Sequence, residues 1–155
     1  MINRAELIIQ HFDYLTDKYG FRVERKEFYP DAMGNAVVIF KSPVIGIEVV
    51  IDRNQALIRI GDQSEELGKW FEFSNVLSYF APSLEKAYVF TEKTENNTWD
   101  QVVETQLKRL AEILLDCCES LLRGDLSGKE RIKKIEHNRK IQLIEELNDP
   151  SKRSN

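Results

Sequence analysis

Apolar positions along this chain recur with two periods, and the switches between them divide it into elements. From Asn3 to Tyr19, the residues Ile8, Phe12, Leu15 and Tyr19 lie three or four apart, the spacing of one helix face. Asn3 and Glu6 read as a capping box at its start. Gly20 ends it, with Phe21 as the hydrophobic residue that folds back on the last turn. Phe21–Tyr29 reads as a strand interrupted by Arg25, Lys26 and Glu27, and Pro30–Asn35 as a loop.

Period two then takes over, with strands expected at about 35–41, 44–52 and 56–61. They are joined by Lys41-Ser-Pro-Val44 and by Asp52-Arg-Asn-Gln55. Parity sets the register of the second pair. Only an odd index sum, such as 48 opposite 59, gathers Ile47, Val49 and Ile51 on one face with Ala56, Ile58 and Ile60. That register needs a loop of two or four residues, and Asp52–Gln55 supplies it with side chains suited to turns. The polar tetrad is therefore a turn before it is a site. Glu48, alone among aliphatic neighbours, is expected to face Arg59 across the ladder. Glu48 and Asp52 also alternate as the carboxylate pair of a metal-dependent nuclease would, but no lysine stands on an adjoining strand position. The opposite face carries Val37, Ile39, Val44, Val50 and Leu57 among Lys41, Glu48, Asp52 and Arg59. A one-sided sheet alternates more cleanly, so this face is expected to be covered by the later helices or by another molecule.

Trp70–Phe73 suggests a further strand, Ser74 the cap of a short helix to Phe80, and Ala87–Phe90 another strand. Thr91–Asn97 reads as a polar linker. The helical period returns in the last third. Thr98 and Gln101 form a capping box, and Val103, Leu107, Leu110, Leu114, Cys117 and Leu121 mark one face up to Gly124. Ser127–Glu130 opens a second capped helix that runs to about Asn148. The short connection implies an antiparallel hairpin. The first of these helices would span about 26 residues, roughly 39 Å, more than a domain of this size needs to cover.

Composition narrows the class. A chain of 155 residues, 42% apolar and 31% charged, suits one soluble domain with a real core. The net charge of −4 argues weakly against a polyanion binder. No apolar run approaches the length of a membrane helix, and the N-terminus lacks a signal core. The only cysteines, Cys117 and Cys118, are adjacent, which rules out a disulfide framework and fits a reducing cytoplasm. On a helix they point about 100° apart, so Cys117 is expected on the apolar face and Cys118 beside it, partly exposed.

Candidate chemistry is sparse. His11 and His137 are too scattered for a metal centre, and no glycine-rich phosphate loop is present. The segment from Lys129 to Lys140 offers Lys129, Arg131, Lys133, Lys134, Arg139 and Lys140 as a nucleic-acid surface. Its charges run against the helix dipole, bases first and Glu145, Glu146 and Asp149 last. Internal pairing with Glu112, Asp116 and Glu119, and of Lys108 and Arg109 with Glu145 and Glu146, is the preferred explanation. Trp70, Phe71, Phe73 and Trp99, with Glu48 and Arg59, are the candidate contacts for a protein partner. An enzyme site would draw on Glu48, Asp52, Arg53 and Arg59.

The order helix, Tyr19-Gly-Phe21, Gly34-Asn-Ala-Val-Val-Ile-Phe40 and Asp52-Arg-Asn-Gln55 loosely resembles small bacterial proteins over roughly residues 5 to 80, some of immunity-protein (toxin-neutralising) type. The resemblance implies a cytoplasmic bacterial protein that binds and occludes another protein, for instance a toxin domain.

The expected fold is α+β: an N-terminal helix, an antiparallel meander of four to five strands, and a C-terminal antiparallel helical hairpin. Residues 1–92 form the sheet portion, 98–148 the hairpin that packs on it or makes a dimer interface, and 149–155 a disordered tail, all in one domain. The expected function is a non-enzymatic protein-interaction module, read as an immunity or antitoxin-like inhibitor able to form a homodimer, with no cofactor and no metal. The alternatives are a nucleic-acid-associated protein and an enzyme with an unrecognised site.

Overall fold

Asn3 opens the chain's first helix by accepting hydrogen bonds from the Ala5 and Glu6 amides through Oδ1, at 3.0 and 3.2 Å. Glu6 does not close the box; its carboxylate pairs with Lys26 instead, at 2.6 Å. The computed structural model describes residues 1–85 and 91–152. Where one helix was expected up to Tyr19, there are two, α1 (Arg4–His11) and α2 (Asp13–Asp17). The bend falls at Phe12, whose ring is fully buried near that of Phe40. Gly20 stops α2 with φ +74°, a region open to glycine, and the Phe21 amide reaches back to the Leu15 carbonyl.

Four full strands follow, β1 (Arg22–Tyr29), β2 (Asn35–Lys41), β3 (Ile45–Asp52) and β4 (Gln55–Asp62), with a two-residue β5 (Phe71–Glu72). The sheet is antiparallel in the order β1-β2-β3-β4-β5. Glu48 stands directly opposite Arg59 and Ile47 opposite Ile60, the odd-sum register that parity demands. Arg53 and Asn54 both have positive φ, 48° and 66°, so the turn is of the two-residue type whose twist matches a hairpin.

One face of the sheet is the core. Ala36, Val38, Phe40, Ile45, Ile47, Val49, Ile51, Ala56, Ile58 and Ile60 are all buried there. They are covered by α1, by α3 (Phe73–Phe80) and by α4 (Trp99–Cys117). Helix α3 begins without a side-chain cap, so Ser74 does not play that part. Helix α4 has the full Thr98–Gln101 capping box and buries Val103, Leu107, Leu110 and Leu114. It breaks at Cys118 before the short α5 (Glu119–Leu122), and Gly124 follows with φ +96°. Cys118, whose amide still bonds the Leu114 carbonyl as in a regular turn, is the fully buried cysteine and Cys117 the half-buried one, the reverse of the order expected.

Helix α6 (Lys129–Asn148) starts at Gly128 with no side-chain cap. Ser127 instead donates its amide to Asp125. A side chain at Gly128 would meet the Tyr79 ring at 2.3 Å, so this glycine is what lets α6 approach α3. Helix α6 packs on α3 and β5 rather than along α4, and Ile132 is its one buried residue. The expected charge seam between the two long helices is therefore not what seats α6. Among the described residues no helix covers the outer face of β2–β4, so that expectation of the hairpin is not met either. The strand expected at Ala87–Phe90 lies outside the described residues.

Candidate functional site

Alternation along three neighbouring strands sends Val37, Glu48, Val50, Asp52, Leu57 and Arg59 to the outer face. With Tyr29 and Asn35 on one side and Glu72 on the other, they line an open cavity of about 470 Å³. Its floor is aliphatic, and Tyr29, Asn35, Glu48, Asp52, Arg59 and Glu72 are its polar lining. Glu48 is the deepest of these, with a side chain 5% exposed, and it accepts a hydrogen bond from Arg59 Nε at 3.1 Å. Asp52 is far more open, 44% exposed, and stands 3.5 Å from both Arg53 and the Asn35 amide nitrogen. Three carboxylates, Glu48, Asp52 and Glu72, thus border the cavity with a single guanidinium, Arg59. Arg53 sits on the exposed turn outside it.

At the cavity's Tyr29 edge lies a tight polar cluster. Arg25 grips Glu27 with two hydrogen bonds, 2.7 and 2.8 Å, and the Tyr29 hydroxyl donates to the same carboxylate. These bonds, Arg25 foremost, pull the Glu27 carboxyl down to about 2. The Tyr29 phenol is raised, chiefly by that hydrogen bond to Glu27, and so holds its proton.

The other end of the outer face is closed by Trp70. Its indole lies over Gly46 and Gly61, which stand opposite each other in β3 and β4, and its Nε1–H donates to the Asp62 carbonyl at 2.9 Å. A Cβ at Gly46 would lie 2.2 Å from the indole and one at Gly61 2.5 Å. Trp70 is buried, and Phe71 and Phe73 belong to the core. The three aromatics expected as surface contacts therefore spend their apolar area within the chain, because β5 and α3 need it for their own packing. Trp99 differs, 49% exposed at the start of α4 with Lys93 over its ring.

The basic helix is largely engaged internally. Lys129 pairs with Asp62 and Glu65, which raise its pKa, Glu65 foremost. Arg139 bonds Asn75, Ser78 and Glu85. Lys133 and Lys140 make pairs within the helix, to Glu130 and Glu136. Arg131 and Lys134 border a shallow hollow of about 340 Å³ beside Tyr79. Internal pairing was expected, but the acids come from Asp62 at the end of β4, Glu65 just after it, Glu85 after α3, and Glu130 and Glu136 of α6 itself, not from α4. Beyond Lys140 the helix exposes Ile141, Leu143, Ile144 and Leu147.

Nucleophiles do not converge on the cavity. His11 bonds Glu104 at 3.2 Å between α1 and α4. Cys118 is pushed up to about 12 by burial and then by its neighbour Cys117, which suits a packing role. Among the described residues no group of three or more histidine, cysteine, aspartate or glutamate side chains is placed to hold a metal ion.

Sequence reasoning passed over a second polar network, behind the 52–55 turn. Arg4, with a side chain 1% exposed, donates to Asp100 at 3.1 Å, to the Met33 carbonyl at 3.1 Å and to Asn54 Oδ1 at 2.8 Å. Gln106 brackets the same turn, bonding the Asn54 carbonyl and the Ala56 amide. The signal available was an arginine four residues before Ile8, on the apolar stripe of the first helix.

The fold and the site together define an α+β domain with one core face and one open, acid-rimmed sheet face. No protein-family model, curated protein or solved structure matches the chain. No described helix is long and apolar enough to cross a membrane.

Proposed function

We propose that this chain is a non-enzymatic protein-interaction module that recognises another protein through the outer face of its sheet. One observation carries the reading: three adjacent strands leave a cavity of about 470 Å³ open, with an aliphatic floor and a Glu48–Arg59 ion pair set in it. An apolar concavity with a few fixed polar groups is the usual form of a binding site. An immunity or antitoxin-like inhibitor that occludes a toxin domain fits this reading, in a reducing cytoplasm where two free cysteines persist. The exposed Ile141, Leu143, Ile144 and Leu147 would serve self-association into a homodimer.

Leu57 provides the test, since it lies on the cavity floor yet is partly exposed. Leu57→Arg fills and recharges the cavity without touching the core. A stoichiometric protein captured from the native host by the wild-type chain should be lost with Leu57→Arg, while the melting temperature stays put. Identical capture by both forms would move the interface elsewhere. Recovery of nucleic acid that washes off with salt would favour the alternative surface around Arg131 and Lys134. A catalytic role for Glu48 would show as activity lost in a folded Glu48→Gln variant.

A further inference from the structure

Two apolar surfaces lie uncovered on one side of the chain. The first is the cavity floor of Val37, Val50 and Leu57. The second is the end of α6, where Leu143 and Ile144 are 56% and 57% exposed and Leu147 is exposed as well. A second hollow, of about 410 Å³, joins them. Arg59 and Glu72 border both spaces, and Glu136, Arg139, Lys140 and Leu143 line the second from α6. Lys140 sets the phase of the helix. At about 100° per residue, Ile144 and Leu147 lie within about 40° of it and Leu143 about 60° away. The apolar side of the helix end thus turns the same way as the hollow, and so as the outer face of the sheet.

The charges of the hollow are mixed, Arg59, Arg139 and Lys140 with Glu72 and Glu136. Most are engaged within the chain: Arg59 with Glu48, Arg139 with Glu85, Glu136 with Asn75. Lys140 reaches Glu136 only at 4.0 Å. The Glu72 carboxylate has no partner among the described residues. One loosely held cation on the helix side and one acid on the sheet side complement themselves under a two-fold axis. An axis through the hollow carries the α6 end of each copy onto the sheet face of the other and sets Glu72 of one beside Lys140 of the other. Both apolar surfaces are then covered by one operation. A small ligand would fill a single space and leave α6 bare.

We propose that the outer sheet face takes the α6 end of a second copy, reciprocally, in a two-fold dimer in which Leu143 and Ile144 of each copy lie on Val37, Val50 and Leu57 of the other. The proposal rests on the reading of the outer face as a protein-binding surface and names its occupant in the protein alone. A different protein docking there must displace the second copy. One helix end of about two turns is a smaller contact than the roughly 800 Å² per partner of a stable interface. Symmetry makes the contact twice, so the dimer forms at high concentration and disperses at the dilution of a melting scan.

Sedimentation velocity of the full-length chain over a concentration series tests this. The wild type should move from the mass of one chain to that of two. Leu57→Arg and Ile144→Glu, both at exposed positions, should each stay single with unchanged circular dichroism. An equimolar mixture of these two variants should dimerise again, since one contact is native and the other sets Arg against Glu. Glu72→Lys places like charges at both contacts and should weaken the dimer about tenfold, and Lys140→Glu added to it should restore the affinity. A wild type that stays single at every concentration would overturn the proposal, as would a mixture that does not pair. A dimer indifferent to Leu57→Arg would mean that helix ends pair with each other, and one indifferent to Ile144→Glu that sheet faces do; either overturns it. If the chain stays single while Leu57→Arg still abolishes partner capture, the second copy is wrong and the protein-interaction reading stands.

Discussion

Asn54 does two things that few other residues could do together. Its backbone holds φ at 66°, and its side chain accepts from the buried Arg4 guanidinium. Glycine would keep the first and lose the second, and alanine would lose both. Asn54→Gly is therefore expected to cost about 1–2 kcal/mol, and Asn54→Ala about 2–4 kcal/mol. Urea unfolding of the two variants reads the difference directly: equal losses would mean that the positive φ contributes nothing, and no loss in Asn54→Gly that the Arg4 bond contributes nothing. Glu27 makes a different test. Its folded pKa lies below the ordinary carboxylate value, so the Arg25 and Tyr29 interactions contribute above that value and fade as pH falls towards about 2. A carboxyl NMR titration should show the low midpoint in the wild type and its return upward in Arg25→Gln. The aspartate–asparagine turn was legible because such residues favour tight turns, and parity then set the register. Arg4 was not, because its acceptors come from residues 33, 54 and 100, and only tertiary structure brings those together.

Among the elements, those with strong periodicity were read from sequence and those that depend on docking were not. The sheet followed from alternation, and the Thr98–Gln101 box marked the start of α4. The break at Cys118 carries no proline or glycine and leaves no local signal. Helix α6 is the instructive case. Its charge order implied that bases would be paired internally, but sequence offered α4 as the nearest source of acid. The structure uses Asp62, Glu65 and Glu85 because α6 lies against α3 and β5. The close approach of Gly128 to Tyr79 makes that docking testable. Gly128→Ala should force the ring aside and cost about 1–3 kcal/mol. Hydrogen exchange should then quicken over residues 129–140 while β2–β4 stay protected. Uniform loss across the chain would show that α6 folds as one unit with the sheet.

At the scale of the whole molecule, the apolar material divides unequally. One face of the sheet is packed under α1, α3 and α4, and among the described residues the other stays open except beneath Trp70. The sequence carried that asymmetry in the mixed outer face. It could not say whether cover would come from within, since the two long helices were equally suited to lie there. The far end of α6 is exposed as well, Leu147 by 64%. A chain ending at Gln142 should lose helical signal in circular dichroism but melt within about 3 °C of the full-length protein. A larger drop would assign residues 143–155 a part in the fold.

The three-way fit of Gly46, Gly61 and Trp70 reaches beyond this one sequence. Two bare strand positions and one indole occupy a shared volume, so none can drift on its own. Any natural variant with a side chain at 46 or 61 should carry a smaller residue at 70. The first change in such a lineage would be harmful until the second arrived.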